Sequence, residues 1–204
     1  NKRGFTLVEL IVVLVILAIL ASLLIPALTG YVTKAKKQAV ITEARDVWTA
    51  SQAALTECYA LYPESFNDKS NSCRFTITVN GKTYKNVGRI TNGALHAIQK
   101  KPNDKTEAGS SSRRVAAQVL KYLESDGKNP RYTFGNGGLI SSAIKPSAYF
   151  NGKPKKTDVI IQIFHTKEGR IVAINFAKDG YMATIVPGQE TTCEYDGACI
   201  ASRG

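Results

Sequence analysis

A carboxylate sits near the start of an otherwise apolar stretch that is long enough to cross a bilayer. From Phe5 to Ile25 only Thr6, Glu9 and Ser22 interrupt the run of apolar side chains. Coiled as a helix at about 1.5 Å per residue, that run is roughly 30 Å long, the thickness of a hydrocarbon core. Lys2 and Arg3 precede it, and Lys34, Lys36 and Lys37 follow. With cations at both ends, the positive-inside rule selects no orientation. A carboxylate inside a membrane-spanning helix is costly, less so toward the edge of the bilayer. Glu9 therefore needs water at the interface, or a cation to meet once the helix leaves lipid and packs against neighbours. A cut between Gly4 and Phe5 would create such a cation, a new α-amino group about one helical turn from Glu9. An ordinary secretory signal is the alternative, but its apolar region is shorter and ends at small residues. Here Ala18 and Ala21 are small, yet the helical pattern continues past them.

The segment Gly4-Phe5-Thr6-Leu7-Val8-Glu9-Leu10, behind its short basic stub, closely resembles the processing motif of type IV prepilins and pseudopilins. The resemblance covers about the first seventh of the chain and implies several roles. A prepilin peptidase would cut after Gly4 and methylate Phe5. Glu9 would pair with the Phe5 amine of an adjacent subunit during assembly, and Thr6 would fit a tight helix bundle. Pro26 matches the family's habit of a proline at this depth. Physically, Pro26 removes one helix hydrogen bond and disfavours helix at Ile25, and Gly30 follows four residues on. The two make a weak point that, by family analogy, loses its helix in the filament and lets it stretch.

Past Gly30 the helical pattern becomes one-sided. Val40, Ala44, Val47, Ser51, Ala54, Cys58 and Leu61 recur in steps of four and three, one stripe along a helix. Lys37, Glu43, Arg45, Asp46, Gln52 and Glu57 fall elsewhere, and Pro63 predicts a stop near Tyr62. The expected organisation is a leader remnant at 1–4, a hydrophobic membrane and assembly half of the helix at 5–30, an amphipathic half at 31–62, and a globular head at 63–204. The fold class expected is α+β, a pilin-like lollipop whose long N-terminal helix packs on an antiparallel β-sheet head.

Within the head, Arg74 to Val79 and Lys82 to Val87 alternate as strands around Asn80-Gly81, a strong hairpin signal. Helices are expected at Gly93–Lys101 and Arg113–Ser125, the second with Ser111-Ser112 as caps and Gly127 behind it. Pro102 to Ser112 and Asn129 to Pro154 read as loops. Asp158 to His165, Arg170 to Ala177 and Tyr181 to Val186 are apolar runs split by Lys167-Glu168-Gly169 and Lys178-Asp179-Gly180, which predicts a three-stranded meander.

Four cysteines form two local groups, Cys58 with Cys73 and Cys193 with Cys199. In an exported chain an even count favours disulfides, though three connectivities remain open. Zinc is the weaker reading, because no Cys-x-x-Cys occurs and His96 and His165 lie far from either pair. A Cys58–Cys73 bridge would tie the helix to the first strand, and Cys193–Cys199 would staple the C-terminus.

No catalytic constellation emerges, so an enzyme is not expected, nor any cofactor or metal. His96 and His165 read as structural, and Gly135-Asn136-Gly137-Gly138 matches no phosphate-binding loop. Trp48 and Tyr59 read as packing residues. The formal charge of +11 is dispersed over the chain and reads mainly as solvated surface. The first expectation is a structural subunit of a type IV pilus, held in the cytoplasmic or inner membrane as a precursor. The assembly machinery would then lift it into an extracellular homopolymer serving adhesion, motility or DNA uptake. Alternatives are a minor pilin or secretion-system pseudopilin, with DNA or a host surface as partner, and a monomeric membrane-anchored binding domain. The last would have no use for Glu9.

Overall fold

The computed structural model describes residues 6–66, 73–79, 81–101, 111–134 and 158–195. Two compact units emerge, residues 1–39 and 40–204. Helix α1 (Leu7–Leu61) starts in the first and ends in the second. In the first unit its apolar side chains face outward on every side, from Leu7 at 73% exposure to Val32 at 42%. A helix apolar all round has no stripe to bury against one partner; it calls for surroundings that are apolar on all sides.

The second unit has the α+β architecture expected, built on an antiparallel sheet. Its strands are β1 (Cys73–Val79), β2 (Lys82–Ile90), β4 (Asp158–His165), β5 (Ile171–Lys178), β6 (Tyr181–Ile185) and β7 (Thr192–Tyr195), paired in that order. A two-residue strand β3 (Thr133–Phe134) adds to β4 in parallel. Helices α2 (Asn92–Lys100) and α3 (Ser111–Tyr122) lie between β2 and β3 in sequence. The meander β4–β5–β6 is therefore the centre of a wider sheet. Central β5 is buried on both faces from Ile171 to Ala177, which explains its unbroken apolar composition.

The hairpin turns follow local chemistry. Lys178 pairs with Tyr181 across Asp179 and Gly180, whose φ values of 51° and 84° are those of a two-residue primed turn. In β2, Asn86 takes φ 55° where three steps of β2 face two of β1, from Ile77↔Tyr84 to Phe75↔Val87. That is a bulge, and it carries β2 on to Ile90, three residues past its predicted end.

One core cluster joins α1 to this sheet. Val40, Ala44, Val47, Ala54, Leu55 and Cys58 pack with Ile161, Ile163, Ile174 and Phe176 and with Val115, Val119 and Leu120 of α3. The predicted stripe holds through Cys58, whereas Leu61 is 60% exposed. Leu61 lines an open groove beside α3, and Leu55, off the predicted stripe, is fully buried.

Thr91 caps α2, its hydroxyl accepting from Ala94 N–H at 3.2 Å, while the ends of α3 differ from expectation. Ser111 and Ser112 are the first residues of α3 rather than its caps. At its C-terminus the left-handed position falls to Glu124 (φ 51°) and not to Gly127. Ser125 N–H donates to Leu120 C=O at 2.8 Å and Glu124 N–H to Lys121 C=O at 3.0 Å, the paired bonds of a Schellman motif. The helix thus ends three residues before the predicted Ser125.

Candidate assembly site at the start of the long helix

Thr6 and Glu9 cap the start of α1 for each other. The Thr6 backbone N–H and hydroxyl both donate to Glu9 Oε2 at 2.8 Å, and Glu9 N–H donates to Thr6 Oγ1 at 3.3 Å. This is a capping box, which satisfies amides that the first turn leaves without intrahelical partners. Its signature, Thr-x-x-Glu before an apolar run, was readable in the sequence. A different role had been assigned to both residues there. In a single chain, then, the carboxylate has a local partner and lies exposed at the helix start. Gly4 and Phe5 lie outside the described residues.

Pro26 and Gly30 both lie inside α1, which runs through them without interruption. Pro26 has no N–H to offer the Ser22 carbonyl one turn back. Nearby hydroxyls turn to the helix backbone: Ser22 to Ile19 C=O at 2.7 Å, Thr29 to Ile25 and Pro26 C=O at 3.0 and 2.9 Å, Thr33 to Thr29 C=O at 3.0 Å. Such back-bonding loosens the ladder and favours bending. A Cβ at Gly30 would meet nothing within 4 Å, so close packing within this chain does not require glycine there.

The amphipathic half of α1 is fastened to the head by polar side chains that the stripe pattern placed outside the core. Lys178 Nζ meets both Glu43 oxygens, at 2.7 and 2.9 Å, and Tyr132 OH donates to Glu43 at 3.1 Å. Burial, with Glu43 beside it, pushes the Tyr132 hydroxyl far above its ordinary range. Arg131 donates to Asp46 at 2.9 Å. Gln52 pairs like a strand residue, donating to Gly169 C=O and accepting from Ile171 N–H, both at 2.9 Å. Gln118 and Tyr122 of α3 donate to Glu57 at 2.6 and 3.1 Å. Each of these partners is distant in sequence, so no local spacing could have revealed them.

Trp48 packs against the core, and Tyr59 meets Phe66 edge-on with ring centroids 5.6 Å apart. His96 on α2 bonds to the Phe134 carbonyl through Nδ1. His165 is buried at the end of β4, edge-on to Phe66, with Nδ1 bonded to its neighbour Thr166 C=O at 2.9 Å. Cys58 is a buried thiol on the side of α1 that faces α3, and burial pushes its pKa up. Cys73 is buried at the start of β1 and Cys193 is half-buried on β7. Cys199 lies outside the described residues, and with it the Cys193–Cys199 pairing. The Cys58–Cys73 bridge is a proposal for the oxidised protein. Among the described residues no three His, Cys, Asp or Glu side chains converge as metal ligands.

Comparison with known proteins agrees with the N-terminal motif. The family described as the prokaryotic N-terminal methylation motif matches residues 1–25. Type II secretion system core protein G of Klebsiella pneumoniae is 52% identical over 43 residues, 21% of this chain and 31% of that protein. Fimbrial protein Q of Moraxella bovis is 41% identical over 56 residues, 28% of this chain and 36% of that protein. Type IV major pilin protein PilE of Neisseria gonorrhoeae is 30% identical over 105 residues, 50% of this chain and 59% of that protein. The chain spans less than two thirds of the length of each. No solved structure matches. At its start the chain carries the methylation motif with a long apolar helix behind it, and there it is similar to type IV pilin, fimbrial and type II secretion core proteins.

Proposed function

We propose that this chain is a filament subunit, anchored as a precursor by the apolar half of α1 and then polymerised into a pilus on the cell surface. The observation that carries the reading is the exposure of α1 from Leu7 to Val32, behind a motif for cleavage and methylation. Such a surface needs lipid at one stage and other apolar helices at the next. Cleavage after Gly4 frees the Phe5 amine, which a prepilin peptidase methylates. In the filament Glu9 exchanges its Thr6 partners for the Phe5 amine of a neighbouring subunit. Pro26 and Gly30 mark where the helix gives way under load. The head stays outside, and a Cys58–Cys73 bridge in that oxidising setting would lock α1 to β1. The chain acts by assembly rather than by catalysis.

The N-terminal mass of material sheared from native cells tests this reading. A chain starting at methylated Phe5 supports it. A chain that keeps residues 1–4, or one confined to membranes, favours the plain anchored domain and overturns it.

A second reading is a secretion-system pseudopilin, favoured by the 52% identity to core protein G over the N-terminal match. The match to major pilin PilE extends over 105 residues against 43, which favours the pilus. Deletion of the chain separates them: loss of surface filaments supports the pilus, and loss of protein secretion with filaments intact supports the pseudopilin.

A further inference from the structure

The far end of the apolar helix carries features that the assembly reading does not use. Leu7 to Leu28 rises about 32 Å, close to the roughly 30 Å of a hydrocarbon core. Tyr31 follows about 4.5 Å beyond Leu28 and is 73% exposed. Lys34, Lys36 and Lys37 lie about 9 to 14 Å beyond Leu28. The headgroup layer on each side of a bilayer is roughly 5–8 Å deep. Lysine stems reach back along the helix, so all three ammonium groups fall at or just outside that layer. Tyrosine is a residue of membrane–water interfaces, apolar in body and polar at its tip.

Each residue turns the helix about 100°, so Lys36 sits roughly 200° around the axis from Lys34, and Lys37 roughly 300°. The three therefore share one arc of about 160°, a half-collar on one side of the helix. Depth, not angle, identifies the partner: the ammonium groups end at the level of the headgroup layer that the apolar run below them sets. Lys34 and Lys36 are exposed, Lys37 is half-buried, and none of the three has an ion pair among the described residues. The next acidic residues along α1 are already held, Glu43 by Lys178 and Asp46 by Arg131.

We infer that Lys34, Lys36 and Lys37 form a binding half-collar for anionic phospholipid headgroups, with Tyr31 marking the boundary of the hydrocarbon. The inference rests on the membrane-anchored precursor proposed above and adds the lipid class and the residues that select it. It also gives cleavage an electrostatic consequence. Before the cut, Lys2 and Arg3 attract headgroups at the other end as well. Afterwards the near end carries only the Phe5 amine and Glu9, which cancel, and the attraction to lipid is one-sided. The processed subunit is then held by its head-side collar, and its near end is electrostatically free to be drawn through the bilayer.

The test uses the full chain in vesicles of phosphatidylcholine with 30% phosphatidylglycerol, probed with trace spin-labelled lipid of each kind. The electron paramagnetic resonance spectrum separates lipid slowed at the protein surface from bulk lipid. A Lys2→Gln/Arg3→Gln background isolates the far end. The expected result is about fivefold enrichment of phosphatidylglycerol over phosphatidylcholine in the slowed fraction, the attraction of about one lysine. That enrichment should approach unity in Lys34→Gln/Lys36→Gln/Lys37→Gln and in 0.5 M salt. Slowed lipid without headgroup preference, or a preference that survives the triple substitution, overturns the collar while leaving the anchor intact. No slowed lipid of either kind overturns the anchoring reading and the collar with it.

Discussion

The Thr6 hydroxyl and the Glu9 carboxylate are 2.8 Å apart, and each closes a bond the other leaves open at the start of α1. Glu9 thus has a use in the single chain before any neighbour exists. Capping favours a short, polar partner within one turn, whereas assembly favours a charge on another subunit. The proposed assembly role would follow the capping role, because the cap keeps the carboxylate at the surface where a neighbour's amine can reach it.

Two substitutions separate these uses. Glutamine caps nearly as well as glutamate in a capping box but carries no charge. Glu9→Gln should keep the first turn of α1 ordered in micelles and still lose surface filaments, with membrane levels unchanged. Glu9→Ala should lose both. Amide exchange over the first turn and the yield of sheared filaments read the two effects. Normal filament yield from Glu9→Gln would remove the charge-pairing role.

Pro26→Ala restores the hydrogen bond to the Ser22 carbonyl and removes a penalty of about 3 kcal/mol for proline inside a helix. Exchange of the amides around residue 26 should slow by two orders of magnitude or more in micelles. Filaments of the variant should extend less under load. Unchanged extension would place the compliance elsewhere in the subunit.

Gly169 marks where the β4–β5 turn meets α1. It has φ 71°, and a Cβ there would lie 3.1 Å from both the Leu55 carbonyl oxygen and Tyr59 Cβ. Gly169→Ala should cost the head about 2–3 kcal/mol through left-handed strain and displacement of the helix. Gln52→Ala leaves the Ile171 N–H and one Gly169 C=O partner unmade, at about 1–3 kcal/mol. Both should lower the head's melting temperature by several degrees. The double variant should lose less than the sum, because the two residues share one contact.

The head should weaken in mild acid. Burial holds the His165 imidazole below its ordinary range, against a smaller opposing pull from the Thr166 carbonyl. The unfolded chain takes up a proton near pH 6.5, whereas the folded head takes it up only at lower pH. Stability is therefore full above about pH 6.5 and falls as pH drops through that value, by at most about 1.4 kcal/mol per unit, until the folded pKa is reached. Melting temperatures at pH 7 and pH 5 should differ by several degrees more in the native chain than in His165→Leu. Equal differences would assign the acid sensitivity to other groups.

Patterns fixed by neighbours in sequence were legible from the start. The apolar run with its embedded carboxylate, the stripe from Val40 to Cys58, the stop before Pro63, the Gly81 hairpin and the β4–β6 meander depend on spacings of two to four residues or on turn chemistry. Such spacings express helix and strand periods directly. What the sequence withheld depends on residues far apart along the chain. β3 is two residues long and exists because Thr133 and Phe134 lie beside Asp158 and Val159. β7 forms on β6, within a stretch read as a cysteine staple. Glu43, Gln52 and Glu57 look like solvated positions on a helical wheel, yet each holds α1 to an element 61 to 135 residues away. Leu61 continues the stripe on paper but lies exposed. Helical and strand periods are local, so the sequence by itself determined the apolar run, the amphipathic helix behind it and the central strands. Burial and long-range hydrogen bonding depend on where the chain returns in space, so only the tertiary structure decided how the head grips the helix.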